Sequence, residues 1–470
     1  MIRKPYCTCE QDSVMSEASK FSNNSQMQEL VSNALSFAKA SGATSASAEV
    51  SEDIGLNINV RNGEAETIEH THDRSFSVTV YIGKRSGCAS SGDFKPEAIE
   101  RTVKAAIDIA RYTSEDEYSG LPDASRLCRE PADLDLCHPW EIGAEDAIRI
   151  CSEAEEAAMS ADSRIFNSEG VSLNSAVGRF VLGNTDGFLC GYPYSSHSLY
   201  ASVIAKDKGG MQRDGWYSLD VVPERLTPAA ELGRIAAERA SARLGARELS
   251  PRKCPVIFEA PVAKSLISTF NKAVAGTSLY RKSSFLVDSL GKEVFAPKFS
   301  ILEDPFVPGL YGSAPFDEEG VAGSRRYLVD NGVLQGFYLN SYSARKLGME
   351  TTGNAGGPYN VYLKAADDVL EPDLASLMRR MGTGLLVTEL SGQGINLTNG
   401  DYSRGAVGFW VENGVIAYPV DGITIAGNLK DMFKGLVAAG ADFDKNGSII
   451  TGSLLIDEMT VAGGAEGDFE

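Results

Sequence analysis

The sequence predicts an α+β protein: N-terminal α/β sandwich units built on antiparallel sheet, followed by a mostly-β C-terminal domain with a barrel-like or strongly curved sheet. Three observations carry this. Forty-seven glycines against 18 prolines in 470 residues demand many tight turns, hence many strands. Asn62-Gly63, Asn331-Gly332 and Asn413-Gly414 each sit between alternating apolar runs, the strongest short-range hairpin signal. Five stretches, by contrast, read as helices. At about 150 residues per domain, the length amounts to roughly three units.

In chain order, residues 1–25 read as a polar tail without the apolar centre of a secretory signal. Met15 and Met27 make an over-extended start codon an open reading there. The first unit, 26–115, opens with a helix over 28–41. A hairpin follows, Leu56–Val60 turning at Asn62-Gly63, and then a half-buried strand at Ser75–Ile82. Pro96 starts a helix whose Ile99, Val103, Ala106, Ile107 and Ala110 share one face. Residues 116–140, rich in Asp, Pro, Gly and Ser, read as a linker. The middle unit, 141–250, has helices over 144–161 and 228–244. Five short strands lie between them at 164–167, 171–174, 178–184, 188–194 and 198–206. The third unit, 251–470, begins with a strand at 254–257 and a helix from Pro261 to Ala275. Two hairpins then turn at Asn331-Gly332 and Asn413-Gly414.

Composition narrows the function. Forty-four basic against 64 acidic residues give a net charge of −20, which repels phosphate backbones and anionic lipid. Nucleic-acid and membrane partners are therefore not expected. No apolar run approaches the ~20 residues that cross a bilayer, and the expected location is the cytoplasm. The eight cysteines follow no framework and are expected as reduced thiols. Cys7-x-Cys9 is half a metal knuckle without its second half. There is no phosphate loop of the G-x-x-x-x-G-K-[ST] type and no G-x-S-x-G elbow.

Histidine is scarce: His70, His72, His138 and His197 are all, and from Pro255 to Glu470 there is neither histidine nor cysteine. The third unit can therefore build neither a zinc site of the usual donors nor a histidine-activated nucleophile. His70-x-His72 would share one strand face and could hold a metal with a third ligand; a solvated strand face is the preferred reading. Asp442-x-Asp444-x-Asn446-Gly447 matches the start of a calcium loop, but Ser453 stands where the closing glutamate belongs. A polar turn with left-handed Gly447 is preferred there. Between Ala260 and Val287 lie Lys264, Lys272, Arg281 and Lys282 and no acid. These could meet an acidic partner or a peptide carboxylate, or form a solvated helix face.

Several longer strings resemble the TldD/PmbA metallopeptidase family, specifically its PmbA/TldE type. They are Ser278-Leu-Tyr-Arg-Lys-Ser-Ser-Phe285, Ser341-Tyr-Ser-Ala-Arg-Lys-Leu347, Thr352-Gly-Asn-Ala-Gly-Gly357, 400–414 and 423–432. The resemblance covers nearly the whole chain after the tail. It implies a bacterial cytoplasmic role on peptides or unfolded segments, such as peptide-antibiotic maturation and antitoxin turnover. TldD-type members carry H-E-x-x-x-H on a helix and a later cysteine, which together hold zinc. The corresponding helix here, Ala263 to Gly276, has none of these residues, and no cysteine falls near Gly440 to Asp442. The resemblance thus implies a chain that binds no cofactor itself, with zinc only in a TldD-like partner of a heterodimer. In that chamber, Gly392, Gly394, Asp401, Tyr402, Ser403 and Arg404 could bind peptide main chain by strand addition, or be tight barrel turns. Two other readings stay open: an independent metal-dependent hydrolase using Asp317, Glu318 and Glu319 or the His70/His72 pair, and a peptide-binding homodimer.

Overall fold

The computed structural model describes residues 22–463; Cys7, Cys9, Met15 and most of the tail lie outside the described residues. Asn23 caps the first helix by accepting from the Gln26 amide, and the Gln26 side chain returns the bond, a capping box. The N-terminal half runs α1 (Asn24–Ala40), β1 (Ser45–Arg61), β2 (Glu64–Ile82), β3 (Arg85–Ser91), α2 (Pro96–Tyr112), α3 (Ala144–Ala161), β4 (Ile165–Asn184), β5 (Leu189–Asp207), β6 (Gly210–Asp220) and α4 (Ala229–Ala242).

The units read at 26–115 and 141–250 share one six-stranded sheet, ordered β3-β2-β1-β4-β5-β6. β1 joins them. Its even residues point to one face: Ala46, Ala48 and Val50 enter a core with α1 and α2, while Leu56, Ile58 and Val60 enter a core with α3 and α4. Each such side chain is worth about 1.5–3 kcal/mol when fully buried, so the alternation fixes which face the helices cover. The five short strands expected between 164 and 206 are two long ones, β4 and β5, and β6 was not anticipated. The breaks expected after Asn174 and before Gly178 fall inside β4, where both residues sit on the face without helices. Ser75–Ile82 likewise continues β2 without a break.

The 116–140 segment is bound along the third unit. Leu127 bridges Val321, Tyr342 donates to Asp116, and Arg345 donates to the carbonyls of Tyr118, Gly120 and Leu121.

The C-terminal half runs β7 (Arg252–Phe258), α5 (Ala260–Ala273), α6 (Gly276–Tyr280), β8 (Phe299–Asp304), β9 (Arg326–Asp330), β10 (Val333–Leu334), α7 (Ser341–Leu347), β11 (Asn360–Ala365), β12 (Leu370–Glu371), α8 (Leu374–Met381), β13 (Gly384–Ser391), β14 (Asp401–Glu412), β15 (Val415–Asn428), α9 (Leu429–Lys434), β16 (Leu436–Gly440), β17 (Ile449–Ile450) and β18 (Leu454–Gly463). β7, β13, β14, β15 and β18 pair in a closed ring because β18 returns to β7, so the expected barrel is present. The β13–β7 pair is parallel; the excursion from α5 to α8 supplies the long crossover that a parallel pair needs. A second sheet, β10-β9-β8-β11-β17, packs alongside, and Phe270 of α5 meets Phe295 and Phe433 edge-on between them. Among the described residues no helix is long and apolar enough to cross a membrane.

Candidate functional site

Helix α5 occupies the place where the resemblance would put a zinc helix. Its apolar stripe, Ala263, Leu266, Ile267 and Phe270, is buried in the core. Lys264 turns inward: its ammonium lies 2.8 Å from Asp444 Oδ2 and donates to the Asn446 carbonyl. Burial lowers the Lys264 pKa, and Asp444 opposes that shift. Near the expected third-ligand position, Asp442 accepts from both the amide and the hydroxyl of Ser453. Asp444 also accepts from the Tyr217 hydroxyl at 3.1 Å and from Asn446. The calcium-like loop is thus a hydrogen-bonded turn with Gly447 at φ +90°, tying the six-stranded sheet to the barrel. Among the described residues, no three His, Cys, Asp or Glu side chains converge as a metal site would require. The donors around α5 do not fit zinc, and no catalytic step follows from this helix.

The other expected binding residues divide. Lys272, Arg281 and Lys282 are exposed, with the Arg281 guanidinium 5.7 Å from the Tyr280 ring centre. Residues 391–401 form an exposed lip joining β13 to β14. Gly394 is required there, because a Cβ would collide with the Ser403 carbonyl oxygen, to which chain it is also held by the Ser403 amide. Asp401 accepts from Asn399 and Asn428 side chains, and Arg404 donates to the Ser391 carbonyl at 2.9 Å. The Phe285 amide donates to Leu397, which brings the 278–285 string against this lip. Gly392 and Ser403 are exposed on it, whereas Tyr402 is buried and packs edge-on against Phe258 inside the barrel. Lys264 and Tyr402 therefore serve the interior; the remaining eight residues lie at or near the surface.

The carboxylates at 317–319 are mostly structural. Asp317 is buried and accepts from the Glu319, Val321 and Ala355 amides; burial nevertheless pushes its pKa up to about 7. Glu319 accepts from the amide and hydroxyl of Ser341 at the start of α7. His70 and His72 do share a strand face, but His72 Nε2 lies 2.7 Å from buried Glu52, which also accepts from Arg74. His197 is buried between Ser175 and the His138 carbonyl.

One feature was missed in the sequence. The face of the six-stranded sheet opposite the helices is polar and acidic. On β1 it carries Ser47, Glu49, Ser51, Asp53 and Asn57; on β2, Glu69, Thr71, Asp73, Ser75 and Ser77. Tyr194 of β5 donates to Asp53 Oδ1 at 2.5 Å, its ring lying over Gly178. The alternation Ser47-x-Glu49-x-Ser51-x-Asp53 between alanines and valine was the available signal.

Comparison with known proteins decides the family. Models of the PmbA/TldA metallopeptidase match as domain 1 over residues 46–110, as central domain over 137–244 and as C-terminal domain over 251–463. The Metalloprotease PmbA of Escherichia coli O157:H7 is 46% identical over 439 residues, covering 93% of this chain and 96% of its own. The chain belongs to the PmbA/TldD metallopeptidase family. Membership supports a proteolytic role. The Metalloprotease TldD homolog of Haemophilus influenzae is 24% identical, covering 83% of this chain and 87% of its own. The crystal structure of TldE from Thermococcus kodakarensis shares the PmbA/TldD fold with TM-score 0.80 at 19% identity, covering 92% of this chain and all of that one.

Proposed function

We propose that this chain is the metal-free, PmbA/TldE-type subunit of a cytoplasmic peptidase complex, paired with a TldD-like subunit that holds the zinc. It acts on peptides or unfolded segments by shaping the chamber in which the partner cleaves them. The observation that carries this reading is the donor set: residues 255–470 hold no histidine or cysteine, and the polar groups around α5 are bonded to one another. The exposed lip at 391–401 and the unhelixed face of the six-stranded sheet supply peptide-facing surface. The test is to mix the purified chain with a TldD-like subunit and follow both complex formation and peptide cleavage. A stable complex that cleaves faster than the TldD-like subunit alone is expected; unchanged activity and separate elution would refute the proposal.

A further inference from the structure

Among the described residues, nothing pairs with the outer edge of the N-terminal part of β2. β3 pairs only with Phe76–Ile82, so Glu64–Ser75 is bonded to β1 on one side and to no strand or loop of the described residues on the other. Apart from Thr71, every residue from Glu64 to Ser75 is exposed. At about 3.4 Å per residue the free edge runs for roughly 40 Å. Sheet edges of this length are ordinarily blunted by lysine, proline or a covering segment, and 64–75 contains neither lysine nor proline.

On the face away from the helices, the charge beside this edge has one sign. Asp73 stands directly opposite Asp53 across the β1–β2 ladder, and Glu69 lies four residues along the same face opposite Asn57. Like charges directly opposite are unfavourable. No lysine or arginine shares that face on β1 from 45 to 59 or on β2 from 67 to 81. Burial raises the Asp53 pKa, and Asp73 adds to the shift. On the opposite face His72 and Arg74 are already engaged by Glu52.

We infer that the free edge of β2 from Glu64 to Ser75 takes up an extended peptide whose alternate side chains are basic. Main-chain bonds to the ladder hold the strand, and every second side chain falls on the side of Glu69 and Asp73. A second copy of this chain would bring the same carboxylates to the pairing, so it is not the occupant. The inference rests on the peptide-binding reading above and names the substrate class.

The experiment uses fluorescence anisotropy with the isolated chain and three labelled octapeptides. One alternates Thr and Lys, one alternates Thr and Glu, and one is the Thr-Lys peptide N-methylated at alternate amides. The plain Thr-Lys peptide is expected to bind, more weakly as salt rises, while the other two do not. Glu69→Gln and Asp73→Asn are each expected to weaken it by about fivefold, the upper end for an exposed charge pair. Glu231→Gln, on the helix side, is expected to change nothing. Equal binding of the acidic peptide, equal binding of the N-methylated peptide, or indifference to both substitutions would each overturn the inference. So would sedimentation showing that the edge is consumed in a dimer of this chain. Since no TldD-like subunit is present, failure here leaves the complex untouched, and a missing complex leaves this binding measurable.

Discussion

At the scale of single residues, Lys264 shows how a charge read as surface became interior. It was one of four basic residues in an acid-free stretch, yet its side chain is only 13% exposed and that of Asp444 only 5%. Removing one partner of a buried pair strands the other, which costs about 3–5 kcal/mol. Lys264→Ala is therefore expected to lower stability by about 3 kcal/mol or more in urea unfolding. Lys264→Met combined with Asp444→Asn should recover much of the loss, because no charge is then left unpaired; a double variant as unstable as the single would contradict the pairing. Asp317 gives a pH-dependent outcome. Its folded pKa of about 7 lies above the ordinary carboxylate value near 3.9, so the folded state holds the proton more tightly. The stability it contributes is complete below about pH 4 and is lost as pH rises through about 7. Urea midpoints at pH 5 and pH 8 should therefore differ less in Asp317→Asn than in the parent chain. An unchanged difference would show that Asp317 does not titrate in that window.

At the scale of elements, the five long helices and the Asn-Gly hairpins were legible, because periodicity and left-handed turn residues are local signals, whereas the short helices α6 to α9 were not. Asn62, Asn331 and Asn413 do adopt positive φ, between 48° and 53°. The long strands were not legible. Where a sheet face carries no helix, polar and small residues are free to occupy it, and Asn174 and Gly178 then read as strand ends. The sharing of one sheet by two units was also hidden, since pairing of β1 with β4 joins residues more than 100 positions apart. Of the expected binding residues, those of the lip at 391–401 could be read from its glycines, whereas the inward turn of Lys264 and Tyr402 depends on tertiary packing. Helix crossing gives a test at this scale. Gly233 lets α4 approach α3 so closely that a Cβ would collide with the Ala154 carbonyl. That carbonyl belongs to rigid helix backbone, so Gly233→Ala is expected to destabilise by about 1–3 kcal/mol despite its better helix propensity. A stabilised variant in thermal unfolding would show that the two helices can separate without loss.

At the scale of the whole molecule, the two halves are joined by charge as well as by apolar contact. Arg243 lies 2.8 Å from Asp214 of β6 and also pairs with Glu389 of β13, while Arg239 bridges Asp214 and Glu259. Phe316 packs edge-on against Phe180, Phe188 and Tyr192 of the sheet. The long strands and this junction join the halves into one wall, which under the proposed function would position peptides for another chain's chemistry. Under that proposal, the absence of histidine and cysteine from residues 255–470 leaves this chain without a zinc of its own. Elemental analysis of the purified full chain, after dialysis against a chelator and re-exposure to zinc, tests this most directly. Well below one tightly held zinc per chain is the expected result; a stoichiometric zinc that survives gel filtration and confers peptidase activity without any partner would contradict the account.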